Sequence, residues 1–75
     1  MREKLMKILR EINKDIPDDS SVDLLKTRLL DSFDMVNLVS AIEENFEIEL
    51  NPEDILPENF RTIDDIEKLV KKYKK

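Results

Sequence analysis

The residue in this chain best placed to do chemistry is Ser32. It stands in Leu29-Leu30-Asp31-Ser32-Phe33-Asp34-Met35-Val36, directly after an acid, beside apolar side chains, where an amphipathic pattern begins. A serine nucleophile of the hydrolase kind needs a base within hydrogen-bond reach, most often histidine. The chain has no histidine, no cysteine and no glycine, so that base, a thiol and the residue of a sharp nucleophile elbow are all missing. Self-contained serine catalysis has no support in this inventory, and the chain is expected to be no enzyme. If Ser32 takes part in chemistry, the reactive group arrives from outside and is attached there. The plain alternative is that Asp31-Ser32 only starts a helix.

That helix is expected from near Asp31 to near Phe46. Asp31 can cap the free backbone N–H groups, and Asp34 puts charge where the helix dipole favours it. Met35, Leu38, Val39, Ile42 and Phe46 recur at helical spacing as a core stripe. Phe33 and Val36 fall off that stripe, on the face carrying Asn37, Ser40 and Glu44, with Ser32 at its border. An apolar pair outside the core, rimmed by Asp34, Glu43 and Glu44, reads as a small docking surface.

The other elements follow from the same patterning. Leu5, Ile8, Leu9, Ile12 and Ile16 define a first amphipathic helix, ended by Pro17. Residues 17–30 form a long connection, polar at first and then apolar through Val22, Leu24, Leu25, Leu29 and Leu30, expected to pack across the helix ends. Glu47-Ile48-Glu49-Leu50 alternates, as a short extended connector does, with Ile48 and Leu50 inward. Asn51-Pro52-Glu53-Asp54 is a helix start of about one turn, stopped by Pro57. Thr62-Ile63-Asp64-Asp65 opens a last helix as a capping-box variant. Ile63, Ile66, Leu69, Val70 and Tyr73 form its inner face, and Lys71, Lys72, Lys74 and Lys75 sit at its end.

Seventy-five residues make one all-α domain spanning 1–75. A chain this short buries only about 60% of its surface on folding, so it has little stability to spare. No apolar run approaches the roughly 20 residues of a membrane span, and the N-terminus is no signal peptide; a cytoplasmic monomer is expected. The net charge of −5 is unevenly spread. Residues 31–65 hold eleven acids against one base, Arg61, while residues 66–75 balance to +4. The acidic stretch repels phosphate backbones, which argues against nucleic acid, and favours partners with basic patches. Asp18, Asp19 and Asp23 lack the ligand spacing and the glycine of a calcium loop.

Taken together, Leu29–Phe46 resembles the signature of acyl carrier proteins. The family pattern is an Asp-Ser pair, an apolar residue, and a Glu-rich amphipathic helix ending at Phe. The resemblance extends over nearly the whole chain. It implies a four-helix bundle of three main helices, one short helix and a long first loop. It further implies that Ser32 carries 4′-phosphopantetheine from coenzyme A, attached by a phosphopantetheinyl transferase, with Asp31 as the adjacent acid. An acyl or aminoacyl group then rides on the arm as a thioester between loading and acceptor enzymes. Phe33, Asp34, Val36, Asn37, Ser40, Glu43 and Glu44 would form the partner surface.

Leu30, Phe33, Asn37 and Glu47 depart from the common fatty-acid pattern, in which Gly or Ala, Leu, an acid and Gly are frequent. The Leu-Leu-Asp-Ser form is also similar to D-alanyl and other specialised free-standing carriers. A free-standing carrier of a specialised group is therefore expected, rather than the general carrier of fatty-acid biosynthesis. The rival from another class is an acidic helical interaction module that is never modified.

Overall fold

A computed structural model describes residues 1–74. Three α-helices follow in order: α1 (Arg2–Ile12), α2 (Ser32–Phe46) and α3 (Ile63–Tyr73). Two single 3₁₀ turns, Pro52–Asp54 and Pro57–Asn59, lie between α2 and α3. The described residues contain no strand. The architecture is thus all-helical, as the patterning implies, with the helix order that the resemblance to acyl carrier proteins implies.

Each helix buries the stripe that its spacing dictates. Leu5, Ile8 and Leu9 of α1, Leu38, Ile42 and Phe46 of α2, and Ile63, Ile66, Leu69 and Val70 of α3 join one hydrophobic cluster. Ile12, Met35, Val39 and Tyr73 pack against it half-buried. The long first loop contributes fully buried Leu24 and Leu30, which is why it lies across the bundle. Met6 and Phe60 are core residues that helical spacing did not single out. Phe60 precedes α3 and is completely buried, so the segment between the second 3₁₀ turn and α3 is anchored from within.

Several local expectations are corrected. Helix α1 ends at Ile12, before Pro17, because Asn13 is extended and its side chain turns to other partners. Its Oδ1 accepts from the Asp15 N–H at 3.0 Å, and its Nδ2 donates to the Leu29 carbonyl at 3.0 Å. Ile16 reaches the core from the loop. The connector after α2 is not extended at its start: Glu47 sits in the left-handed region at φ 55°. Pro57 does not merely stop a one-turn α-helix; Asn51–Leu56 holds a 3₁₀ turn, and Pro57 begins a second one. At α3, Thr62 accepts from the Asp65 N–H at 3.1 Å, so the serviceable half of a capping box is present there. The reciprocal box belongs to α2. Lys74 closes α3; Lys75 lies outside the described residues.

Polar clusters hold the periphery. Arg2 pairs with Asp64 at 2.7 Å and lies 3.7 Å from Asp18 and 3.9 Å from Glu67, tying the start of α1 to α3. The Ser20 hydroxyl, then Arg2, hold the Asp64 carboxyl below the usual carboxylate range. The Ser21 hydroxyl does the same to Asp19. The Tyr73 hydroxyl donates to Asp54, and Lys72 pairs with Asp54 at 3.1 Å. Both lower the Asp54 carboxyl, Tyr73 more than Lys72, and the same bond raises the Tyr73 phenol.

Candidate functional site

Ser32 is placed by the loop before it and the helix after it. The Leu30 N–H donates to the Leu24 carbonyl at 2.9 Å, and the Leu24 N–H donates in turn to the Arg61 carbonyl at 2.5 Å. With Leu24 and Leu30 both buried, the approach to α2 is pinned from the core side. Arg28 in this loop takes φ 63°, a left-handed turn made without glycine. These bonds fix where the chain enters α2.

The first turn of α2 is held by its acids. Asp31 Oδ1 accepts from the Asp34 N–H at 2.7 Å, and Asp34 Oδ2 accepts from the Asp31 N–H at 3.3 Å. This reciprocal box satisfies helix-end donors that would otherwise be free. Because Asp31 does the capping, the Ser32 hydroxyl is not needed for it. Ser32 is the first helical residue and is exposed. Among the described residues no hydrogen bond engages its side chain. An accessible hydroxyl at a helix N-terminus results, at the positive end of the helix dipole, where an attached anion is favoured.

The face beside it is open and mixed in character. Phe33 is 74% exposed and Val36 66%, so Phe33 does not fold back on Leu29 or Leu30. Asn37, Ser40 and Glu44 are exposed on the same side, as 100° per residue requires. Asp34 is half-buried at its edge. Glu43 stands apart. It is half-buried, and its Oε2 accepts from the Leu50 N–H at 2.9 Å, so its carboxylate is employed in holding the connector after α2. Of the two neighbouring acids, Glu44 is the one free to face a partner. The sequence had no sign of the Glu43 bond, which spans seven residues across a left-handed turn.

No group of acids here is arranged to hold a metal among the described residues, and no described helix is long and apolar enough to cross a membrane. In comparisons with known proteins, residues 2–70 match the family described as "Phosphopantetheine attachment site". No curated protein and no solved structure matches the chain.

Proposed function

The chain belongs to the phosphopantetheine attachment-site family, and from that premise we propose that Ser32 is its attachment residue and that it carries an acyl or aminoacyl thioester. Domains of this family receive 4′-phosphopantetheine and are not catalytic themselves. The group supplies a thiol on a flexible tether, which a chain without cysteine lacks. The observation carrying the assignment is that Ser32 is exposed at the first position of α2 while Asp31 performs the capping.

The residues present fit the group. Ser32 offers the hydroxyl that a phosphodiester needs, and the helix end favours the resulting charge. Asp31 and Asp34 hold the first turn of α2 through their own reciprocal bonds, without the Ser32 hydroxyl. Phe33 and Val36 offer a modifying or loading enzyme an apolar contact beside the hydroxyl. Glu44 supplies negative charge for a partner's basic patch, an attraction that sets encounter rate more than affinity. The setting proposed is the cytoplasm, where coenzyme A and its transferases meet the protein.

The test is intact mass after incubation with a phosphopantetheinyl transferase and coenzyme A. The wild-type chain gains one phosphopantetheine mass, and Ser32→Ala gains none while keeping its helical circular dichroism. An unmodified wild-type chain, or a modified alanine variant, refutes the assignment.

A further inference from the structure

A groove of about 480 Å³ opens between the first loop and the second 3₁₀ turn, lined by Asp23, Leu25, Lys26, Pro57 and Arg61. We propose that it docks the distal end of the arm and its load, and that Lys26 and Arg61 make it selective for an acyl group ending in a free carboxylate. The proposal rests on Ser32 as the attachment residue.

Reach comes first. Only Asp31 separates Leu30 from Ser32, and Leu30 is hydrogen-bonded to Leu24 at 2.9 Å. Standard bond lengths then place the Leu25 Cα no more than about 18 Å from that of Ser32. The arm runs about 14 bonds from the serine oxygen to its sulfur, or about 18 Å extended, at the 3.8 Å that three backbone bonds span. The load extends beyond the sulfur. The groove is therefore within range without any movement of the bundle.

Shape and charge come next. Leu25 and Pro57 give an apolar wall, and two cations stand beside it, the mixture that orients a small ligand. Arg61 is the one base among residues 31–65, and the fold brings it to Lys26 of the loop. Asp23 is the opposing charge, its Oδ1 turned to the Leu25 and Lys26 N–H groups at 3.1 and 2.9 Å; against Lys26 and Arg61 it leaves the groove lining with one net positive charge. The loop is held on this side by the Leu24–Arg61 backbone bond, so the walls are fixed whatever the Arg61 side chain does. A carboxylate is the natural partner of a guanidinium and an ammonium. A protonated amino group gains nothing from either. Pairs this exposed contribute little each, so the preference in docked population is about fivefold at most for each cation and weakens with salt.

The experiment uses the ¹⁵N-labelled full chain, loaded by a phosphopantetheinyl transferase from succinyl-coenzyme A or from butyryl-coenzyme A. Intact mass first establishes that each load is on the protein. The succinyl load is expected to shift the Leu25, Lys26 and Arg61 amides at least twice as far as the butyryl load. Lys26→Gln with Arg61→Gln erases that difference, and the shifts at Ser32 and Phe33 persist. Loaded protein whose shifts stay confined to the start of α2 overturns the groove. Equal groove shifts from both loads overturn the carboxylate selectivity. Failure to gain mass instead refutes the Ser32 reading on which the proposal rests.

Discussion

Replacing Asp31 separates what this residue does for the fold from what it does for modification. In Asp31→Ala the 2.7 Å bond to the Asp34 N–H disappears, and a carboxylate leaves the positive end of α2. Loss of an N-cap to alanine costs about 1 kcal/mol, up to about 2. The dipole contribution of the charge lies within that figure at an exposed site. The second bond of the box, from the Asp31 N–H to Asp34, needs no Asp31 side chain and survives. We therefore expect a loss of about 1.5 kcal/mol, read by urea unfolding with circular dichroism. For a domain of this size that corresponds to a melting temperature lower by roughly 6–12 °C. Asp31→Asn keeps the acceptor and removes only the charge, and asparagine caps about as well as aspartate. Its stability should stay within about 0.5 kcal/mol of wild type. If Asp31→Ala unfolds no more easily than wild type, the capping argument is wrong. If Asp31→Asn is as damaged as Asp31→Ala, charge and not the hydrogen bond is what holds the turn. An Asp31→Asn chain that is stable but slowly modified assigns the charge to recognition by the transferase.

Glu43→Ala should cost about 1–2 kcal/mol, since it frees the Leu50 N–H in a half-buried place, whereas Glu44→Lys should leave stability unchanged and slow modification at low salt; chemical denaturation and transfer rates measured together check both, and the reverse pattern refutes the division of roles. Glu47→Gly removes the left-handed strain at the end of α2, worth about 1–2 kcal/mol, against the entropy that glycine adds to the unfolded chain, for a net gain of about 0.5–1 kcal/mol; a urea midpoint that falls contradicts it. Asp19, Asp54 and Asp64 have lowered folded-state carboxyls. Their contribution is present above the ordinary carboxylate value near 4 and disappears as the pH falls through the depressed ones. The raised Tyr73 phenol has the opposite sign, contributing below about pH 10 and lost as the pH rises through its folded value. Melting temperatures across pH 2–11 should decline at both ends, and Tyr73→Phe should flatten the alkaline decline; an unchanged alkaline limb in that variant speaks against the Asp54–Tyr73 bond.

The helices and the exposed serine were legible because they rest on local rules. The α2 stripe, the Asp31 cap and the apolar residues outside the stripe depend on neighbours within four positions. The end of α1 was not legible, since Asn13 is recruited by Leu29, sixteen residues on. Phe60 has no helical periodicity around it, and only the bundle explains its burial. Glu47 hid its backbone conformation because a left-handed position normally announces itself with glycine. The bond from the Leu50 N–H to Glu43 was not legible either, because sequence shows charge and not hydrogen-bond partners. The meeting of Lys26 and Arg61 depends on a backbone bond between distant segments, which no spacing rule anticipates.

Phe46 ends α2 with its ring flanked by two ammonium groups, Lys4 at 5.1 Å and Lys74 at 5.6 Å from the ring centroid. One comes from the first turn of the first helix, the other from the residue that closes the last. The two ends of the described fold therefore converge on a single ring, with those ammonium groups no more than about 11 Å apart. At 1.5 Å per residue, that ring's backbone lies about 21 Å along α2 from Ser32. Side chains of α1, α2 and the residue that closes α3 thus meet at the Phe46 end of α2, and the Ser32 hydroxyl stands at the other end of that helix. A spectroscopic label placed at Lys4 or Lys74 would therefore sit away from the Ser32 hydroxyl and leave the Phe33 face open.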